Sequence, residues 1–228
     1  MLPYFAQMPA LGKPLSESRA QRAQVNRQEL SATEAALSDA ARTIQDQGLS
    51  ADEINARGLL TVWQRIERLV DPGSWRPLHT LFNPAHNDEG TTNVVDGLGR
   101  IAGRWAVVIG FNNKVLAGAW LAGQAENVLR VTDLARRLNI PLVWLVNCSG
   151  LKLTEQEKFF AGRRGGGTTF FRHAELEQAG IPILAGIYGT NPAGGGYHSI
   201  SPTILLAQKD ANMAVGGVGI VSGMSPKG

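Results

Sequence analysis

The sequence predicts an α/β fold in which buried strands alternate with helices, preceded by a helical N-terminal region. Two apolar runs that open with Ile-Pro, residues 140–146 and 181–188, are typical of buried strands. Helical periodicity occupies residues 124–138 before the first run and 170–179 before the second. Because strands that alternate with helices pair in parallel within a layered sheet, these observations indicate the α/β class.

Residues 1–75 are expected to form an arm followed by helices. Residues 1–14 carry three prolines and no periodicity, whereas residues 15–47 are polar, rich in alanine and free of proline and glycine. The second composition favours a helix. Another helix is predicted over residues 59–70, because apolar residues recur there at i, i+3, i+4 and i+7 before Asp71-Pro72-Gly73 stops the pattern.

Residues 76–228 are expected to form the core domain. The polar, turn-rich residues 76–93 predict a solvated loop. After that loop, strands are predicted over 94–101 and 104–110, joined by a turn at Ala102-Gly103. The remaining expected elements are a helix over 154–160, a mobile basic loop over 163–169, and short strands over 203–207 and 213–215.

Composition excludes several classes of function. The 228 residues carry a net charge of +3, which is too weak to indicate nucleic-acid binding but suits a small anionic ligand. Cys148 is the one cysteine, so no internal disulfide forms and a reducing cytoplasm is expected. The N-terminus lacks the pattern of a signal peptide, and no apolar run approaches the roughly 20 residues of a membrane span.

The two apolar runs each end in a small turn that contains glycine, at Asn147-Cys148-Ser149-Gly150-Leu151 and at Ala193-Gly194-Gly195-Gly196-Tyr197. Ligands of open α/β sheets bind at the carboxyl ends of the strands. Glycine lets backbone N–H groups approach a ligand closely, and N–H groups at a helix start favour negative charge. The pattern therefore predicts an oxyanion site built from backbone, with two ordinary strand-to-helix turns as the alternative.

Other motifs are missing or ambiguous. The chain has no dinucleotide fingerprint, no phosphate loop and no Gly-x-Ser-x-Gly elbow. Cys148 is interpreted as a packing residue rather than a nucleophile, and His198 as a structural donor rather than a base. No metal site is expected, because His79 and His86 stand alone without further ligands.

Residues 60–75, Leu-Thr-Val-Trp-Gln-Arg-Ile-Glu-Arg-Leu-Val-Asp-Pro-Gly-Ser-Trp, resemble the "LTxxxRIxxLxDxGSF" helix of biotin-dependent acyl-CoA carboxyltransferases. Residues 147–151 stand where that family carries "DSGGA", and residues 193–197 where it carries "AGGAVY". The resemblance runs nearly the whole length and is strongest to the branch that decarboxylates glutaconyl-CoA. The blocks shared with that branch are residues 73–78, 116–120, 163–168, 189–202 and 211–217. Asn147 in place of Asp, and Leu151 in place of Ala, fit this branch.

The resemblance implies a crotonase (ClpP/crotonase-like) fold, in which ββα units form a spiral, here preceded by N-terminal helices. It also implies that the chain is the N-terminal, acyl-CoA-binding half, truncated at its C-terminal end. In the family a second, homologous domain follows and binds biotin.

The implied activity is transfer of the carboxyl group of glutaconyl-CoA to biotin, which leaves crotonyl-CoA, as part of a sodium-pumping decarboxylase. The implied partners are a subunit that carries the biotin and a membrane decarboxylase subunit. A homo-oligomer built on dimers is expected, located in the cytoplasm and peripherally associated with the membrane complex. No metal and no nucleic acid are expected.

The resembling reaction places negative charge on the thioester oxygen of a dienolate, and backbone N–H donors stabilise such charge. We assign these donors to Gly150 or Leu151 and to Gly194 or Gly195. The residues assigned to substrate binding are Ser149, Arg163, Arg164, Gly165, Gly166, Gly167, Gly196 and Tyr197.

Three alternatives remain open: the carboxyltransferase subunit of another acyl-CoA carboxylase, a non-catalytic acyl-CoA-binding module, and a hydratase. A hydratase needs paired acids over the acyl chain. It is disfavoured because Glu155 and Glu157, two residues apart, would point away from each other on a helix.

Overall fold

The computed structural model describes residues 12–86, 88, 90–199, 201–217 and 222. By its internal contacts the chain divides into two compact units, Met1–Arg42 and Thr43–Gly228. The domain boundary predicted near residue 75 therefore lies inside the second unit. The extended arm predicted over residues 1–14 lies largely outside the described residues.

The N-terminal helices are α1 (Glu17–Asp46), α2 (Ala51–Asn55) and α3 (Val62–Leu69). The long helix predicted from residue 15 is present, and α2 begins with a capping box between Ser50 and Glu53. Helix α3 starts three residues later than predicted. The reason is that the Thr61 side chain accepts from the N–H of Gln64 and caps the helix at that point.

Eight strands are described: β1 (Arg76–Leu78), β2 (Val94–Ile101), β3 (Arg104–Phe111), β4 (Leu142–Val146), β5 (Ile183–Ile187), β6 (Thr190–Pro192), β7 (Ile204–Ala207) and β8 (Asn212–Ala214). Six of them form one sheet in the order β1-β2-β3-β4-β5-β7. Strands β1, β2 and β3 are antiparallel, and β3, β4, β5 and β7 are parallel. Strands β6 and β8 form a separate parallel pair.

The helices that connect these strands are α4 (Gln124–Leu138), α5 (Gln156–Phe160), α6 (Gly166–Gln178) and α7 (Gly194–Tyr197). Both faces of the six-stranded sheet are covered. On one face, Val128 of α4 and Leu176 of α6 join a core cluster with Trp144. On the other face, Val62 and Ile66 of α3 pack in a cluster with other residues of the sheet.

Two sequence predictions are wrong in part. Residues 76–78 were assigned to a loop but form an edge strand, which pairs with β2 in a register that places Arg76 opposite Leu98. The basic loop predicted over 163–169 ends early, because α6 already starts at Gly166. A Cβ at Gly166 would lie 2.0 Å from the Phe159 ring, so the glycine lets the start of α6 pack closely on α5.

Candidate functional site

The two glycine turns lie side by side at the carboxyl ends of β4 and β5. We call residues 147–151 the first turn and residues 189–197 the second turn. The buried side chain of Asn191 joins them, since its Oδ1 accepts from the N–H of Cys148 at 2.9 Å and its Nδ2 donates to the carbonyl of Tyr188 at 3.0 Å. One amide therefore sets the spacing between the turns.

Glycine is required in these turns for different reasons. A Cβ at Gly195 would lie 2.4 Å from the carbonyl oxygen of Cys148, so the second turn approaches the first through Gly195. Gly150 has a φ of +101°, a backbone conformation that favours glycine. A Cβ at Gly194 would find only the Tyr197 ring, at 3.8 Å. The tight backbone contact thus belongs to Gly195 rather than to Gly194.

The backbone N–H groups of the two turns that have no hydrogen-bond partner among the described residues include those of Gly150, Leu151, Gly194 and Gly195. By contrast, the N–H of Gly196 donates to the carbonyl of Ala193 at 2.9 Å. The four groups assigned as oxyanion donors from the sequence are thus among the unpaired ones.

The second turn contains a strained residue that the sequence did not indicate. Ala193, the residue before α7, has φ +47° and ψ −125°, a conformation that is unfavourable for a residue with a side chain. The N–H of Ala193 donates to the carbonyl of Ala214 in β8 at 2.7 Å, which helps to hold the residue in place. The conformation sets the direction in which the chain enters α7.

A pocket of about 280 Å³ opens beside the two turns. Its wall includes Gly150, Leu151 and Gly194 and is otherwise mostly apolar and aromatic. The other lining residues are Trp120, Ser149, Leu153, Gln156, Phe159, Phe160, Phe170, Pro192, Ala193, Tyr197 and Gly217. No charged side chain lines it in the described part of the chain. A larger cleft of about 700 Å³ lies beside α3 and residues 71–75, away from both turns.

Ser149 and Tyr197, both assigned to substrate binding, line this pocket. The Ser149 hydroxyl donates to the carbonyl of Leu116 at 2.9 Å, so it braces the first turn. The Tyr197 ring meets the Phe170 ring edge-on, with 4.9 Å between centroids. Gly196, also assigned to substrate binding, lies in α7 and lines an adjoining pocket rather than this one.

The basic stretch from Arg163 to Gly167 does not line the pocket. The guanidinium of Arg164 forms an ion pair with Glu126 on α4, which raises the pKa of Arg164. The Arg163 side chain is exposed. Gly165 and Gly166 are buried against α5, whereas Gly167 is exposed. The structure therefore places this stretch beside α4 and α5, and it does not bring these residues together with the two turns.

Cys148 is buried in the first turn, and burial raises the pKa of its thiol to about 12. A thiol with this pKa forms almost no thiolate near neutral pH, which is the form that acts as a nucleophile. The structure supports the interpretation of Cys148 as a packing residue.

His198 is buried directly behind the second turn. Its ring is stacked between those of Trp144 and Trp120, with centroids 4.0 and 4.8 Å away, and its Nδ1 lies 3.3 Å from Nε2 of His173. Burial, together with the neighbouring His173, lowers the pKa of His198 well below its usual range. The imidazole is therefore neutral and holds α7 against α6, which agrees with a structural role.

Arg65 and Tyr188 lie behind the first turn and were not assigned a role from the sequence. Arg65 of α3 is 5% exposed, and its guanidinium donates to Oδ1 of Asn147 at 3.4 Å and lies 4.1 Å from the centroid of the Tyr188 ring. Burial lowers the pKa of Arg65 to about 10. Asn147 thus binds a buried cation through an amide where a carboxylate would give an ion pair. Nothing in the sequence indicates this contact, because Arg65 and Asn147 are far apart along the chain.

The acid pair considered for a hydratase is not available. Glu155 accepts from the N–H of Ala122 at 2.7 Å and pairs with Lys152 at 3.0 Å. Although burial acts in the opposite direction, these bonds lower the pKa of Glu155 overall, so it stays ionised. Neither Glu155 nor Glu157 lines the 280 Å³ pocket beside the turns.

Comparison with known proteins finds similarity over most of the chain. The family model of the carboxyl transferase domain matches residues 53–225. The α subunit of glutaconyl-CoA decarboxylase from Acidaminococcus fermentans is 56% identical over 225 residues, which cover 99% of this chain and 38% of that protein.

Two solved structures share the fold. The β subunit of geranyl-CoA carboxylase from P. aeruginosa superposes with a TM-score of 0.69 at 23% identity, covering 92% of this chain and 40% of that one. Transcarboxylase 12S with methylmalonyl-CoA and methylmalonic acid bound superposes with a TM-score of 0.71 at 21% identity, covering 93% of this chain and 40% of that one. These similarities confirm the predicted crotonase-like α/β fold. The chain spans about two fifths of the length of these relatives.

Among the described residues, none of the helices has both the length and the apolar character that a membrane crossing requires.

Proposed function

Since this chain belongs to the carboxyl transferase domain family, we propose that it supplies the acyl-CoA site of a biotin-dependent decarboxylase that acts on glutaconyl-CoA. The observation that carries the proposal is the pair of glycine turns, joined by Asn191, in which Gly150, Leu151 and Gly194 have free N–H groups and line an apolar pocket. The choice of glutaconyl-CoA rests on the 56% identity to the Acidaminococcus subunit.

In the proposed reaction the bond between the substrate's carboxyl group and its carbon chain breaks. The electron pair of that bond moves through the double bond into the thioester, and negative charge builds on the thioester oxygen. Uptake of a proton at the carbon that lost the carboxyl group then gives crotonyl-CoA. The costly event is the charge on oxygen, and one preorganised N–H donor stabilises such a transition state by about 3 kcal/mol.

We assign the donors to Gly150 or Leu151 on the first turn and to Gly194 or Gly195 on the second. Two donors from different turns give a hole only if the spacing of the turns is fixed. The Asn191 amide and the contact of Gly195 with the Cys148 carbonyl both fix it. No side-chain nucleophile is needed, which agrees with the high pKa of the Cys148 thiol.

The pocket wall is suited to the acyl chain. Phe159, Phe170 and Trp120 supply aromatic surface, and none of the lining side chains is charged. A substrate carboxylate that enters this wall loses water without gaining an ion pair from it. This environment favours departure of the carboxyl group, because the charge leaves the apolar region and spreads onto the thioester held by the N–H donors.

Biotin, on a separate carrier subunit, is the proposed acceptor of the carboxyl group. The adjoining pocket, of about 280 Å³, is lined by Ala193, Gly196, Tyr197, Met213, Ala214 and Val215. The N–H groups of Ala193 and Gly196 are already bonded to carbonyls. These two groups are therefore not free to bind the ureido oxygen of biotin, and we assign no step on this chain to biotin. The glycine-rich candidate at 215–219 lies partly outside the described residues.

We further propose that the working enzyme is a homo-oligomer of longer chains. A biotin carrier and a membrane decarboxylase subunit complete a sodium-pumping complex, with this subunit bound peripherally. These proposals rest on the resemblance to the glutaconyl-CoA decarboxylase branch. In this arrangement the second set of donors, for biotin, comes from the part of the longer protein that this chain does not span.

Binding and turnover by the 228-residue chain test the function. Calorimetry with crotonyl-CoA should show binding, and CoA without an acyl group should bind more weakly because the apolar pocket stays empty. An assay with glutaconyl-CoA and free biotin should show no formation of crotonyl-CoA. A chain that binds CoA and crotonyl-CoA equally would contradict the assignment of the pocket. Turnover by this chain alone would contradict the proposal that the donors for biotin lie outside it.

A charge test addresses Arg163 and Arg164, which we propose bind a CoA phosphate or the terminal carboxylate. Changing both to Gln should weaken glutaconyl-CoA binding at low salt, and the loss should shrink as salt rises, because exposed charges are screened. The matched control changes Arg136 and Arg137, at the end of α4, to Gln. An unchanged dissociation constant at low salt would assign Arg163 and Arg164 to ordinary solvated surface.

A further inference from the structure

Helix α1 is a long element with exposed apolar residues. It spans 30 residues, Glu17–Asp46, and none of them is buried. Leu30 and Leu37 are 59% and 53% exposed. A helix in water gains most of its stability from packing an apolar face, because nucleation is costly and propensity alone is weak. The exposed leucines of α1 therefore indicate a surface that a partner covers.

The residues of α1 that share one face follow a coiled-coil spacing. Ala23, Arg27, Leu30, Glu34 and Leu37 recur at alternating intervals of four and three residues. This pattern keeps a stripe on one side of a helix and faces a second helix in a two-stranded seam. The stripe covers about 21 Å at a rise of 1.5 Å per residue. We call these five residues the α1 stripe.

Two members of the α1 stripe are charged and have opposite signs. Nε of Arg27 donates to the carbonyl of Ala23 at 3.4 Å. Among the described residues, neither Arg27 nor Glu34 has an ion-pair partner. A seam normally places apolar residues at these positions, so each charge requires compensation from the partner helix.

Charge is also segregated along α1. Residues 17–28 carry three arginines against one glutamate, whereas residues 29–46 carry four carboxylates against one arginine. A parallel pair of such helices would place like charges together. An antiparallel pair places the basic half of each helix along the acidic half of the other, which is favourable because complementary charges select the partner and its orientation.

We propose that the α1 stripe pairs antiparallel with the α1 stripe of a second copy of this chain. Leu30 of one copy lies against Leu30 of the other at the twofold axis. On either side of this contact, Arg27 of one copy comes within one residue step of Glu34 of the other, and Ala23 lies opposite Leu37. The interface is isologous, as expected for a closed dimer, and it shares no residue with the lining of the pocket beside the two turns.

Sedimentation of the 228-residue chain tests the pairing by exchange of charges. Arg27→Glu and Glu34→Arg should each raise the dimer dissociation constant at least tenfold, because each creates two like-charge contacts across the axis. The double variant, Arg27→Glu with Glu34→Arg, should return the constant to within about threefold of the wild type, since the opposite charges are restored in reversed positions. The matched control is Glu29→Arg, which makes the same charge change off the α1 stripe.

Circular dichroism should show the same helix content for all four variants, so that loss of association is not loss of the helix. A monomeric wild-type chain at every concentration would overturn the proposal. So would single variants that associate like the wild type, because association would then use another surface. Failure of the double variant to recover would also overturn the antiparallel register.

Discussion

Replacing Gly195 by alanine should damage the site through a contact that can be read from the structure. The new Cβ would lie 2.4 Å from the Cys148 carbonyl oxygen, 3.1 Å from Cys148 Cβ and 3.2 Å from the carbonyl carbon. Ordinary contact between such atoms begins at roughly 3.5 Å, so the two turns must separate by about 1 Å. Overpacking of this kind costs about 1–3 kcal/mol of stability.

The same displacement should lower catalysis more than stability. A misplacement of about 1 Å in a reacting site lowers the rate by about a hundredfold. We therefore expect kcat/KM for glutaconyl-CoA to fall about a hundredfold in the complete decarboxylase carrying Gly195→Ala. Steady-state release of CO₂ gives this value, and urea unfolding gives the stability.

Gly194→Ala is the matched control, since it adds the same methyl group one residue away. Its Cβ would meet only the Tyr197 ring, at 3.8 Å, which is ordinary contact. We expect its stability to change by less than about 0.5 kcal/mol and its kcat/KM by less than roughly threefold, about 0.7 kcal/mol. Equal effects of the two substitutions, or a Gly195→Ala enzyme with nearly normal kcat/KM, would refute the reasoning from turn spacing.

Three further predictions use the buried polar groups. Cys148→Ala should keep most activity, because the thiol does not ionise near neutral pH; a loss above about a hundredfold in kcat would indicate covalent catalysis. Burial lowers the pKa of His173 to about 4, and its unfolded value is about 6.5. The unfolded chain therefore binds the proton first as pH falls, and the free energy of unfolding should drop by about 3 kcal/mol between about pH 6.5 and 4. Urea unfolding across this range should show the drop, and His173→Gln should reduce it without abolishing it, because burial also lowers the pKa of His198. Asn147→Asp gives the buried Arg65 cation a carboxylate, so it should raise the free energy of unfolding by about 1 kcal/mol. A free energy of unfolding below that of the wild type would mean that burying a second charge costs more than the ion pair contributes.

The strands and the main helices were predictable because their signals are local. The runs 140–146 and 181–188 are apolar enough to mark β4 and β5, and the glycine turns after them could be placed at one sheet edge by topology alone. The short strand Arg76–Leu78 was missed because it depends on pairing with residues about twenty positions away. Its own three residues show no strand pattern.

The site was predictable as a pair of turns but not in its internal contacts. Glycine-rich sequence indicated close approach without showing which glycine makes it, since 194, 195 and 196 are identical in type. The join through Asn191 and the Arg65–Asn147 contact each connect residues more than forty positions apart. Such contacts depend on the tertiary fold. The basic residues at 163–164 show the same limit, because a charged stretch near glycines does not reveal that Arg164 pairs with Glu126.

Infrared difference spectroscopy measures most directly whether the N–H groups of the two turns hold the thioester oxygen. Crotonyl-CoA labelled with ¹³C at the thioester carbonyl is bound to the 228-residue chain, and the carbonyl stretching band is compared with that of the free compound in water. Donors at Gly150 or Leu151 and at Gly194 or Gly195 polarise the carbonyl, so its band should move to lower frequency, and Gly195→Ala should reduce the shift. A bound thioester whose band stays at the free position, or moves to higher frequency, would contradict a backbone oxyanion hole at these turns.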